Sequence, residues 1–119
     1  MRTDSRHLLP LRPVDFHLLL ALVEGEQHGY GLAHTIAEAT DGLIHLEPGN
    51  LYRVIKRLVD NELIAESSKR PAPELDDERR RYYKLTAAGA RVAALEAQRL
   101  RAVLASKQVR ALKPLIEPA

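Results

Sequence analysis

The sequence predicts a mainly α-helical chain carrying one small β-hairpin, and three observations lead there. Apolar residues recur at helical spacing in four separate stretches. Two short β-prone runs, residues 63–65 and 81–85, flank a loop that holds Pro71 and Pro73. The composition is rich in Ala, Leu and Arg, which favours helix, and with one Phe and no Trp the core must be aliphatic. A chain of 119 residues is one domain's worth.

Pro13 and Asp15 mark the start of a first helix and Gly25 its stop. Phe16, Leu19, Leu20 and Val23 form one face of it, and Leu18 and Leu22 a second apolar pair, which predicts burial against a partner chain. A second helix is expected over residues 30–40, with Ala33, Ile36, Ala37 and Thr40 buried. His28 brackets its start, Gly29 and Gly31 permit close backbone approach there, and Asp41-Gly42 supplies a left-handed stop. Residues 43–46 read as a short strand and Glu47-Pro48-Gly49 as a tight turn.

A third helix is expected to begin at Asn50 as N-cap, with Leu51, Val54, Ile55 and Leu58 inward and Arg53, Lys56, Arg57 and Asp60 outward. The hairpin follows, its tip over residues 68–77, and the alternation at 81–85 sends either Tyr82 or Tyr83 to the core. Thr86 caps a final helix from residue 87 to about 112, stopped by Pro114. At ~1.5 Å per residue it would be roughly 40 Å long. Ala93, Ala97, Leu100 and Leu104 form one stripe on it and Ala88, Val92 and Leu95 another, with Arg91, Glu96, Gln98, Arg99, Arg101 and Lys107 facing solvent. Such a helix most simply pairs with its own copy in a second chain. The expected division is therefore residues 1–86 as a helical and hairpin unit and 87–119 as a dimerisation helix and tail.

Several function classes lack the residues they need. The chain has no cysteine, which removes disulfides, thiolate metal sites and cysteine nucleophiles and fits a reducing compartment. Its five histidines have no ligand spacing, so neither a metal nor another cofactor is expected. No serine sits in an elbow motif, and Gly29-Tyr30-Gly31 lacks the rest of a phosphate loop, so no enzyme is expected. No apolar run approaches the ~18 residues of a membrane span, and residues 1–12 carry no secretory apolar region, which predicts a cytoplasmic protein away from membranes.

The net charge of +2 is small, and its placement says more. A helix bearing Arg53, Lys56 and Arg57, followed by a loop ending in Arg79, Arg80 and Arg81, is laid out for duplex DNA. Helix, helix, helix, hairpin is the order of a winged helix-turn-helix. The motifs are His28-Gly29-Tyr30-Gly31, Pro48-Gly49-Asn50-Leu51-Tyr52, Leu75-Asp76-Asp77-Glu78-Arg79-Arg80-Arg81-Tyr82-Tyr83, and Leu85-Thr86-Ala87-Ala88-Gly89. Together they resemble the PadR-like family of bacterial transcriptional regulators, in its short-tailed subfamily with one C-terminal helix. Where the family usually has Thr or Ser, this chain has Asn50, which bears on base preference because Asn can read adenine bidentately.

The resemblance implies a homodimeric repressor on a palindromic operator of double-stranded DNA, responsive to a small-molecule effector. The DNA-binding set is then Asn50, Tyr52, Arg53, Lys56, Arg57, Arg79 and Arg80. Arg53 is the base reader and Lys56 and Arg57 meet phosphate. Tyr52 contacts the DNA backbone by the resemblance; by its residue type it could equally lock the third helix onto the second. Dimerisation is expected through Leu18, Leu22, Ala97, Leu100 and Leu104. Some members of the family stack flat drugs between Trp residues. This chain has no Trp, so an effector site would be aliphatic, lined by Leu18, Leu22, Leu100 and Val103. The competing reading is a winged-helix protein-interaction module without sequence-specific DNA binding.

Overall fold

The structure is a computed structural model and describes residues 6–67 and 81–116. After a 3-10 turn at Arg6–Leu8 come α1 (Pro13–Ala21), β1 (Gln27–His28), α2 (Gly29–Ala39), α3 (Pro48–Asp60), β2 (Ile64–Glu66), β3 (Tyr82–Leu85), α4 (Ala87–Leu104), α5 (Lys107–Arg110) and α6 (Lys113–Ile116). The strands form one antiparallel sheet in the order β1-β3-β2, with Ile64 opposite Leu85, Glu66 opposite Tyr83, and Gln27 opposite Tyr83 on the other side. This is the expected mainly helical chain with a hairpin, in the winged-helix arrangement.

The core is aliphatic as composition requires. Leu18, Leu19 and Leu22 of the first helical region meet Leu32 and Ile36 of α2, Leu51, Val54, Ile55 and Leu58 of α3, Leu63 and Ile64, and Val92 and Ala93 of α4. Tyr83 is the hairpin tyrosine that turns inward. Gly89 lets α4 lie directly on the strand: a Cβ there would run into the Leu63 carbonyl. Thr86 secures that junction, accepting from the Gly89 N–H at 2.9 Å and donating to the Glu62 carbonyl at 2.7 Å.

The structure corrects four expectations. First, α1 and the residue that follows it bury Asp15, Leu18, Leu19 and Leu22, while Leu20 and Val23 are exposed. Leu18 and Leu22 thus lie inside the protomer and present no face to a partner. Positions 15, 18, 19 and 22 are themselves spaced i, i+3, i+4, i+7, but the stripe opens on a carboxylate and so did not read as apolar. Secondly, residues 43–46 are not a strand, and Leu43 is exposed. Asp41 and Gly42 have φ of 53° and 79°, the Gly42 N–H returns to the Ala37 carbonyl at 2.7 Å, and the Ile44 N–H is taken by the Thr40 hydroxyl at 3.0 Å. The turn uses the backbone groups a strand would need.

Thirdly, the last helix does not run on to residue 112. It ends at Leu104, Ser106 takes an extended conformation and caps α5 by accepting from the Val109 N–H at 3.2 Å, and Pro114 lies in the first turn of α6 instead of ending a helix. A serine hydroxyl that offers an N–H an alternative partner breaks a helix in this way. Finally, Glu96 is buried within α4, not solvent-facing.

Candidate nucleic-acid interface

Pro48 presets the first turn of α3, so the helix begins before Asn50 and Glu47 takes the cap position, its carbonyl accepting from Leu51 N at 2.8 Å. Asn50 is consequently not the N-cap. It lies within the first turn, where its Oδ1 accepts from Arg53 Nη1 at 3.1 Å. Four apolar residues lock one face of α3 into the core, and the opposite face presents Asn50, Arg53, Lys56 and Asp60 to solvent. Lys56 meets Asp60 at 3.3 Å with both side chains largely exposed, a contact that water and salt screen and that a phosphate can displace.

Two expected contacts fall differently. Arg57 is held by α1: its Nε donates to Asp15 Oδ2 at 3.0 Å and its Nη2 to Oδ1. The Asp15 side chain is 7% exposed and that of Arg57 29%, and the hydrogen bonds to Asp15 raise the arginine's pKa. Arg57 is therefore paired within the protomer, unlike Arg53 and Lys56, whose side chains lie on the exposed face. Tyr52 is half-buried against the core with its hydroxyl oxygen inside.

The helix-turn-helix is braced where α2 begins. His28 Nδ1 accepts from the Gly31 N–H at 3.1 Å, and its ring stands edge-on to Tyr82 on β3 at 5.4 Å. The expected bracket thus also joins α2 to the sheet. At the base of the hairpin, Arg81 Nη1 approaches Glu66 Oε1 at 3.6 Å, and the Ser67 hydroxyl donates to Glu26. Arg79 and Arg80 lie outside the described residues.

The dimerisation and effector sets do not come together as expected. Ala97 is exposed, Leu100 half-buried, Leu104 66% exposed and Val103 44%, whereas Leu18 and Leu22 are closed inside. Within the protomer, Leu18 and Leu22 are buried while Leu100 is half-buried and Val103 exposed, so the four do not line one common surface there. Besides Leu20, Val23 and Leu43, exposed apolar side chains gather on the last turn of α4 and along residues 107–116, where Leu112, Leu115 and Ile116 are open to solvent beside Lys107, Arg110 and Lys113. An open depression of ≈ 530 Å³ between α1 and β1 is lined by Leu20, Val23, Glu24, Glu26, Gln27 and Thr35 among others.

Sequence reasoning missed two buried carboxylates, Asp15 and Glu96. Each could have been found as the member completing an otherwise apolar i, i+3, i+4, i+7 set. Among the described residues, no group of three His, Asp or Glu is placed to hold a metal, and no helix is long and apolar enough to cross a membrane.

Comparison with known proteins agrees with this architecture. No curated protein sequence matches the chain. A transcriptional regulator from Clostridium thermocellum superposes with a TM-score of 0.62 at 27% identity, over 76% of this chain and 82% of that one. A PadR-like transcriptional regulator from Bacillus cereus has a TM-score of 0.65 at 19% identity, over 97% of this chain and 100% of that one. PadR from Bacillus subtilis, solved in complex with operator DNA, has a TM-score of 0.60 at 22% identity, over 71% of this chain and 46% of that one, so the match spans under half of that longer protein. The family model described as the transcriptional regulator PadR-like family matches residues 18–95, which is more than half of the sequence. The chain belongs to the PadR-like family of transcriptional regulators.

Proposed function

We propose that this regulator acts in the cytoplasm as a homodimeric repressor, binding a palindromic operator in duplex DNA. The observation that carries the reading is α3: one face is locked into the core while the other holds Asn50, Arg53 and Lys56 in a single exposed row. A helix so fixed can enter a major groove with its first turns at the base edges. Arg53, kept in line by Asn50, reads bases; Lys56 meets phosphate; Arg79 and Arg80 serve as wing contacts. The operator complex of the Bacillus subtilis relative supports this use of the fold. Residues 1–86 form the DNA-binding part and 87–119 the dimerisation part, with the first turns of α4 serving both. Its apolar C-terminal surface, from Val103 and Leu104 to Ile116, is what a second copy covers. Control by a small molecule belongs to the proposal as a class of input, with no site assigned.

Fluorescence anisotropy tests the reading. The protein selects a duplex from a random library, and its affinity for that duplex and for a scrambled copy is followed against salt. Preference for the selected duplex with a steep salt dependence supports the proposal. Absence of duplex binding overturns it and leaves a protein-docking module.

A further inference from the structure

We propose that Asp15 is a positioning residue for sequence discrimination: it withholds the Arg57 guanidinium from the DNA backbone and uses it to fix the rotation of α3 against α1. The inference rests on the DNA-binding reading above.

Arg57 sits where the DNA-facing surface of α3 turns into the core. With Arg53, Lys56, Asp60 and Asn61 it lines one shallow depression, and its side chain is 29% exposed. The side-chain hydrogen bonds to Asp15 turn it away from Lys56. That partner is well chosen. Asp15 lies in the first turn of α1, where the helix dipole favours a carboxylate, and it is buried, so its two oxygens have fixed places. Both oxygens accept from the guanidinium, Oδ2 from Nε at 3.0 Å and Oδ1 from Nη2.

Such a fork is directional, whereas the contacts of Leu51, Val54, Ile55 and Leu58 are not. Aliphatic packing resists separation of α3 from the body more than it resists a small rotation about the helix axis. The bidentate pair opposes that rotation, because turning α3 breaks both hydrogen bonds. The rotation decides where Arg53 and Asn50 meet base edges. Release of Arg57 would also add a cation next to Lys56 that meets any phosphate regardless of sequence. Both effects lower discrimination, and one of them raises general affinity.

The test compares salt slopes and duplex preference for wild type, Asp15→Asn, Arg57→Gln and the double variant, using the selected and scrambled duplexes. Asp15→Asn is expected to steepen the salt slope by about one unit per chain, which for a bound dimer is about two units and roughly a 16-fold greater loss of affinity between about 50 and about 200 mM salt. Its preference for the selected duplex should fall. Adding Arg57→Gln should return the slope to the wild-type value, since the extra contact comes from that guanidinium. Arg57→Gln alone should keep the wild-type slope and lose preference several-fold. A purely structural role would lower thermal stability in both single variants and move neither slope. The proposal is overturned if Arg57→Gln flattens the slope by about one unit per chain, which makes Arg57 an ordinary phosphate contact, or if its preference is unchanged. That variant decides alone should Asp15→Asn fail to fold. Failure of the wild-type protein to select any duplex removes the DNA reading itself, and this inference with it.

Discussion

The carboxylate of Glu96 is buried inside α4 and gripped by the guanidinium of Arg99, Nε to Oε1 at 2.7 Å and Nη2 to Oε2 at 2.9 Å. Oε2 also accepts from the Leu11 N–H at 3.3 Å, so the pair fastens the segment ahead of α1 onto the last long helix. The hydrogen bonds from Arg99 hold the Glu96 pKa below its ordinary value, more than offsetting the opposing effect of burial. A carboxyl whose folded pKa is depressed stabilises the fold above its unfolded value of about 4.3 and loses that contribution as pH falls through the folded value. Stability should therefore drop as pH is taken below about 4.3, and Glu96→Gln should flatten this part of the curve. At neutral pH Glu96→Ala should cost about 1–3 kcal/mol. The cost comes chiefly from the Leu11 N–H left without its acceptor, since Arg99 can turn to water. Urea unfolding of each variant at several pH values gives the comparison. A wild-type acid slope retained in Glu96→Gln would place the titrating group elsewhere.

Gly89 gives the sharpest stability prediction. Thr86 and Gly89 bring the start of α4 against the Leu63 carbonyl, closer than any Cβ allows, and Leu85 closes the space from the side. Because the obstacle is backbone, it cannot rotate away. Gly89→Ala should destabilise by about 3 kcal/mol, the upper end of the usual range for overpacking. Gly49→Ala, where nothing approaches a Cβ, provides the contrasting helical position and should leave folding stability near wild type. Equal thermal midpoints for Gly89→Ala and wild type would show that α4 can lift from the strand at little cost.

The sequence made α2, α3 and the hairpin legible because each has a local signal. His28 brackets the start of α2, the apolar spacing of Leu51, Val54, Ile55 and Leu58 marks α3, and Thr86 marks where α4 begins, whereas the start of α3 at Pro48 and the choice of Tyr83 as the inward tyrosine came from the structure. What could not be read was set by partners far along the chain. Asp15 meets Arg57, 42 residues away, in the core, and Glu96, paired locally with Arg99, also accepts from Leu11, 85 residues away. Periodicity counts a carboxylate as polar, so the apolar stripes of α1 and α4 were each displaced, and with them the faces assigned to a partner. The break at Ser106 has the opposite cause. Its signal is local but slight, a single hydroxyl competing for the Val109 N–H within a run of good helix formers.

Dimerisation is expected to depend on the C-terminal surface in place of α1. Leu104 and Leu115 are 66% and 81% exposed in the protomer, so replacing them adds no charge to its core. Leu104→Glu with Leu115→Glu should leave the protomer folded and yield monomers, with weakened binding to a palindromic duplex because both half-sites must be engaged. Sedimentation velocity and circular dichroism together decide the matter. A dimer that survives the double change would move the interface off α4–α6.

DNA readout is expected to divide between Arg53 and the other cations. Arg53 stands within the first two turns of α3, and its Nη1 donates to Asn50 Oδ1 at 3.1 Å, which orients the guanidinium along the exposed face. A bidentate Arg–guanine contact carries about 1–3 kcal/mol of discrimination, whereas a phosphate contact shifts all sequences alike and adds about one unit to the salt slope. Arg53→Ala should therefore reduce the preference for a selected duplex over its scrambled copy. Lys56→Ala should weaken both alike and flatten the salt dependence, and so should Arg79→Ala with Arg80→Ala on the wing. Asn50→Ala should resemble Arg53→Ala in kind but be smaller, because it frees the guanidinium without removing it. If Arg53→Ala instead lowers both affinities equally and leaves their ratio intact, Arg53 is a phosphate contact. Base reading would then pass to Asn50, and Asn50→Ala would become the change that abolishes preference.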